Sequence, residues 1–116
     1  MGMYPSATLY YGIYLGCPDE DEMPDWAESE DPYGELDRLL KDIKGVGHDT
    51  YGHYDYPRYV LCTRSIHAHA YDDVTVEPQK WHTSEEETEA LKRAWTALGM
   101  QGDRPDPRWF LATSYG

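Results

Sequence analysis

Five histidines, His48, His53, His67, His69 and His82, fall in one stretch with Asp49, Asp55, Asp72 and Asp73. On a strand, His67 and His69 project to the same side, so two imidazoles could meet one metal ion, with Asp72 or Asp73 adding a carboxylate. No helix carries an HExxH pair, however, and no spacing marks a third ligand. Two histidines flanking an alanine on a half-exposed strand read as polar surface, and no metal or other cofactor is expected.

Nucleophilic chemistry has less to work with. There is no Gly-x-Ser-x-Gly elbow and no glycine-rich phosphate loop, and Cys17 and Cys62 lie in no CxxC spacing and near no histidine in sequence. In a reducing compartment both cysteines are expected as free thiols. His48-Asp49-Thr50 and His82-Thr83-Ser84 are two HxT/S triplets, similar to those of the 2H phosphoesterases, in which two histidines exchange protons across a scissile phosphate. That family places both triplets on strands of a longer, two-lobed fold. Here the second triplet opens a helix, where its hydroxyls act as caps. No catalytic residue is assigned, and the chain is not expected to be an enzyme.

Charge is the stronger signal. The 116 residues carry 22 acids and 10 bases, a formal charge of -12. No Lys or Arg precedes Arg38, while ten acids do, so the remainder is nearly neutral. A cationic face for tracking nucleic-acid phosphates or anionic lipid is therefore not expected, and direct nucleic-acid or membrane binding is disfavoured. The longest apolar run, Thr8 to Leu15, is well short of a span, and Met1 to Tyr4 lack a cationic start, which gives a cytoplasmic expectation.

Between Asp19 and Asp31 eight of thirteen residues are acidic, interspersed with Pro24 and Trp26. This composition predicts an extended, self-repelling loop over residues 17–31 with Trp26 as its large apolar anchor. Clustered acids without burial do not split their pKa values into acid and base roles, and Asp-Glu-Asp-Glu lacks the spaced oxygens and turn glycine of an EF-hand. The chemistry they offer is recognition of a basic groove on a partner protein. Asp19, Glu20, Asp21, Glu22, Asp25, Trp26, Glu28 and Glu30 form this candidate surface, joined by Tyr51, Tyr54 and Tyr56 from a chain with eleven tyrosines. Tyrosine gives large contact area at low entropic cost. A second candidate is a small-ligand site that sequesters a signalling nucleotide, with Arg58, Arg64, His67 and His69 meeting phosphates.

The elements that must position these residues follow from periodicity. Thr8 to Leu15 alternates, with Leu9, Tyr11, Ile13 and Leu15 on one side and Tyr10, Gly12 and Tyr14 on the other, and reads as a strand. Asp31-Pro32 opens a helix over Pro32 to Lys44, with Leu36, Leu39, Leu40 and Ile43 on one stripe and Gly45 as its stop. Val46 to Tyr56 reads as a weak strand and Tyr59 to Tyr71 as a stronger one, joined as a hairpin, with Val74 to Glu77 a short extension. Ser84-Glu85-Glu86-Glu87 fits a capping box, and Leu91, Ala94, Trp95 and Leu98 form the next helix's apolar stripe. Trp109 to Tyr115 reads as the last strand. The order is βαββαβ, which predicts one α+β domain over residues 1–116: a ferredoxin-like, four-stranded antiparallel sheet with two helices on one face. The other face, with Tyr10, Gly12 and Tyr14, is expected to be open. Homo-oligomerisation through the sheet edge or the Tyr-rich hairpin is compatible with this arrangement.

Leu9-Tyr10-Tyr11-Gly12, Tyr59-Val60-Leu61, the helix Leu91 to Leu98 and the ending W-x-L-x-[ST]-x-x-G over Trp109 to Gly116 resemble small uncharacterised accessory proteins of tailed bacteriophages. These motifs cover about a third of the chain and are structural, so no functional residue is carried over. The resemblance implies a protein that works in the host cytoplasm by binding and disabling or redirecting host machinery. A host defence or nucleic-acid-handling protein with a basic groove is the expected partner, and a virion or assembly role is the other implication.

Overall fold

The computed structural model describes residues 5–53, 55–69 and 81–115. Four strands form one antiparallel sheet: β1 (Pro5–Gly16), β2 (Gly47–Tyr51), β3 (Arg58–His69) and β4 (Arg108–Tyr115), in the spatial order β2-β3-β1-β4. Two helices, α1 (Pro32–Leu40) and α2 (Glu85–Ala97), cross one face. The chain is thus α+β, and its element order differs from the expected one by a single 3-10 turn, Asp25–Glu28, between β1 and α1. The strand expected at Val74 to Glu77 lies outside the described residues.

Local signals explain the helix ends. Asp31 accepts a hydrogen bond from the Gly34 amide with Pro32 in the first turn, and Ser84 and Glu87 form both halves of the capping box of α2. The first helix is shorter than its apolar stripe implies. After Leu40 the chain tightens, with the Ile43 amide donating to the Leu40 carbonyl, and leaves through Gly45 at φ 82°.

Between helices and sheet lies the main core, built from Tyr11, Ile13, Leu15, Trp26, Leu36, Leu40, Tyr59, Leu61, Leu91, Ala94, Trp95 and Leu98. The inward side of β1 is the one its alternation predicts. In β3 the alternation is broken: Tyr11 pairs with Arg64 but Gly12 with Cys62, so Thr63 is an extra residue, a β-bulge. Arg64, Ile66 and Ala68 thereby share the helix-covered face with Tyr59 and Leu61, while His67 and His69 fall on the other. Gly12 sits at this bulge, where a Cβ would collide with the Leu61 carbonyl, so only glycine lets the two central strands approach so closely.

The second face is not open, contrary to expectation. Tyr10 is 1% exposed and packs with Val60 and Ala112 in a small second core flanked by Tyr14, Tyr51, Cys62 and Phe110. The cause is curvature. The sheet curls enough that the Gly52 amide, beyond β2 at one edge, donates to Ser114 Oγ of β4 at the other, at 2.8 Å.

Candidate functional site

The acidic segment leaves β1 at Gly16, whose φ of 133° turns the chain out of the sheet. It is not the extended loop its composition predicts. Glu20 and Asp21 amides both donate to the Cys17 carbonyl, and Asp21 Oδ2 accepts from the Cys17 amide at 2.9 Å, closing a compact turn. The 3-10 turn then drives Trp26 into the core, 5% exposed, edge-on to Tyr59 at 5.3 Å, with Nε1 donating to the Leu98 carbonyl at 2.9 Å. Trp26 is accordingly an anchor and offers no contact to a partner, a correction to its place in the candidate surface. Ala27 is buried beside it and Met23 packs partly against the same core. Apolar burial here outweighs the mutual repulsion of carboxylates that remain in water.

The carboxylates sort into two groups. Glu20 pairs with Arg58 at 3.0 Å, Asp21 caps the turn, and Asp31 caps α1. Asp19, Glu22, Asp25, Glu28 and Glu30 are exposed, and among the described residues none of these five has a cationic partner. They form an ordered acidic rim on a segment pinned to the core. Beside it, Glu22, Met23, Pro24, Gly99, Gln101 and Gly102 line a cleft of about 420 Å³.

The tyrosines assigned to this surface are dispersed. Tyr51 is half-buried against Tyr14, ring centroids 6.2 Å apart, where burial raises its phenol pKa. Tyr56 is exposed in the β2–β3 connection, and Tyr54 lies outside the described residues. The link between acidic segment and sheet is Arg58, which donates to Tyr14 Oη at 3.1 Å as well as to Glu20. That link is invisible in sequence, because Glu20 and Arg58 are separated by α1 and β2.

The second candidate site does not assemble. Arg58 is held at the start of β3 by Glu20 and Tyr14. Arg64 grips Glu87 on the helix-covered face with two hydrogen bonds, Nε to Oε1 at 2.8 Å and Nη2 to Oε2 at 3.2 Å. His67 and His69 stand on the opposite face at the far end of the strand, their rings 4.6 Å apart, with His67 Nδ1 2.6 Å from Thr8 Oγ1. Period-two geometry separates Arg64 from the histidines, and the bulge separates it from the face of Arg58.

The two HxT/S triplets are likewise used for separate structural ends. His48 pairs with Asp37 at 2.7 Å and stacks on Tyr33, while Ser84 of the second triplet is the cap of α2. Among the described residues no three His, Cys, Asp or Glu side chains converge as a metal ion would require; Asp72 and Asp73 lie outside them. Cys17 and Cys62 are both free, and burial first, then the Asp49 charge, pushes the Cys62 thiol up to about 11. A thiol so shifted is a poor nucleophile. Among the described residues no helix is long and apolar enough to cross a membrane. No protein family, curated protein or solved structure matches the chain.

Proposed function

We propose that this α+β domain, with the ferredoxin-like order its sequence implies, is a non-enzymatic binding protein whose acidic rim docks onto a basic groove of a partner protein. The single observation that carries the reading is the placement of Asp19, Glu22, Asp25, Glu28 and Glu30: exposed, without cationic partners among the described residues, and held on a segment that Trp26 fixes to the core. A rim of this kind offers carboxylates at fixed positions, as a nucleic acid offers phosphates, and loses little entropy on docking. Met23 and Pro24 beside Glu22 would take the aliphatic stem of a partner Lys or Arg. The phage-protein resemblance supports a partner in a bacterial host, of the defence or nucleic-acid-handling class, and inhibition of it as the outcome.

The test is capture of host proteins by the full chain and by a variant in which those five acids become Asn or Gln, at low and high salt. We expect one or more basic proteins held by the wild type, released steeply by salt and not held by the variant. Capture insensitive both to salt and to the five substitutions would overturn the reading.

A further inference from the structure

The sheet has two edges, and they are built differently. At one edge β2 is only five residues long and carries His48 and Asp49. Short, charged edge strands discourage pairing with another chain. At the other edge β4 is eight residues long and pairs with β1 from Pro5↔Tyr115 to Gly12↔Arg108 without a register shift. Its residues from Trp109 to Tyr115 include no charge and no proline. Among the described residues no strand pairs with its outer side.

Exposed apolar side chains gather at the same place. Leu111, in the middle of β4, is 66% exposed, and Trp81, 43% exposed, packs edge-on against Trp109 of β4 with ring centroids 5.0 Å apart. A regular, uncharged edge flanked by exposed apolar groups is a template for strand addition.

We propose that β4 pairs antiparallel with β4 of a second copy of this chain, joining two sheets into one of eight strands. The occupant follows from pattern and charge. Antiparallel pairing centred on Leu111 sets Leu111 against its own copy, Phe110 against Ala112, Trp109 against Thr113 and Arg108 against Ser114, so no two charges face each other across the seam. The acidic rim does not oppose this. Leu111 pairs with Leu9, seven residues along β1 from Gly16 where the acidic segment begins, roughly 20 Å at strand rise. That distance exceeds the roughly 8–10 Å over which exposed charges act at physiological salt. The two rims would point away from the shared edge and leave each copy free to bind.

Sedimentation of the full chain over a range of concentrations tests this, with Leu111→Lys, Thr113→Lys and the five-acid variant run alongside. Both lysine changes are at exposed positions, and far-UV circular dichroism checks that each variant folds. The wild type and the five-acid variant should shift with concentration from 13.4 kDa toward twice that mass. Leu111→Lys sets two ammonium groups side by side across the two-fold, and Thr113→Lys puts a charge into the uncharged middle of the seam opposite Trp109; each should weaken association about tenfold or more, the first the more strongly. A wild type that stays monomeric at millimolar concentration, or a dimer that neither lysine weakens, would overturn the proposal without touching the acidic-rim reading.

Discussion

Tyr10 donates its phenolic hydrogen to Asp49 Oδ2 at 2.7 Å, across two strand boundaries and on the face of the sheet opposite α1 and α2. The bond ties central β1 to edge β2 and closes the second small core over Val60. Burial, and after it the hydrogen bond to Asp49, hold the Tyr10 phenol far above its ordinary pKa.

A raised phenol pKa fixes the sign of a pH dependence. The neutral form is favoured in the folded state, so the stabilisation is fully present below the unfolded value near 10 and is lost as pH rises beyond it. Tyr14, Tyr51 and Tyr59 are raised by burial too and add to the same alkaline loss. Tyr10→Phe should cost about 1 kcal/mol at neutral pH, because Asp49 is exposed and recovers water. It should also flatten part of the fall in stability above pH 10, measured by urea unfolding at a series of pH values. An unchanged alkaline slope would show that Tyr10 is not among the groups responsible.

Glu87 serves two structures at once, accepting from the Ser84 amide at 2.8 Å in the capping box and from Arg64 on β3. The Arg64 hydrogen bonds, chiefly, hold its carboxyl below the ordinary value. A lowered carboxylate pKa stabilises above the unfolded value near 4.5 and stops doing so as pH falls through the folded one. Glu87→Ala should therefore lose about 1 kcal/mol from the cap alone at pH 7. The gap between variant and wild type should narrow below pH 4, read from thermal midpoints across that range.

Gly12 carries the close approach of β1 to β3 at the bulge. Gly12→Ala forces its methyl against the Leu61 carbonyl, which belongs to the backbone of a central strand and cannot swing aside. A loss of about 2–3 kcal/mol is expected, lowering the thermal midpoint by roughly 10 °C. Gly45→Ala is strained by its φ of 82° but meets no atom within 4 Å, so it should cost less.

The elements legible in sequence are those whose signals are local. Ser84 to Glu87 announces α2, Asp31-Pro32 announces α1, and alternation from Leu9 to Leu15 gives the correct inward side of β1. What could not be read is what depends on two distant strands at once. The bulge at Thr63 arises from how β1 meets β3, and the curl that buries Tyr10 shows only where Gly52 meets Ser114. For the acidic segment, composition correctly marks Asp19, Glu22, Asp25, Glu28 and Glu30 as solvent-facing. It misjudges the order of the segment, because one buried Trp26 with its hydrogen bond outweighs charges that never leave water.

Cys62 gives a direct chemical probe of the second core. With its thiol pushed up to about 11, few molecules are thiolate at pH 8. In a Cys17→Ala background, its reaction with a thiol reagent should be about a hundredfold slower in the native state than in denaturant. Tyr10→Phe should leave the rate near the native value if the core stays shut without the Asp49 bond, and raise it if that bond holds β2 in place.

Trp26 decides whether the acidic rim is a surface or a tether. Trp26→Phe keeps an aromatic ring against Tyr59 but leaves the Leu98 carbonyl without its donor, at a cost of about 1 kcal/mol. Trp26→Ala removes the anchor and should cost about 3–5 kcal/mol. Because the turn at Cys17 is held by its own hydrogen bonds, the lost order should centre on residues 23–30. Limited proteolysis should cut there in the alanine variant well before the rest of the domain, and spare it in the wild type and in Trp26→Phe. Equal protection in all three would mean that the carboxylates are held by something other than the indole. If the rim binds as an ordered surface, Trp26→Ala should weaken partner capture even though every acid remains, whereas a flexible acidic tether would bind undiminished.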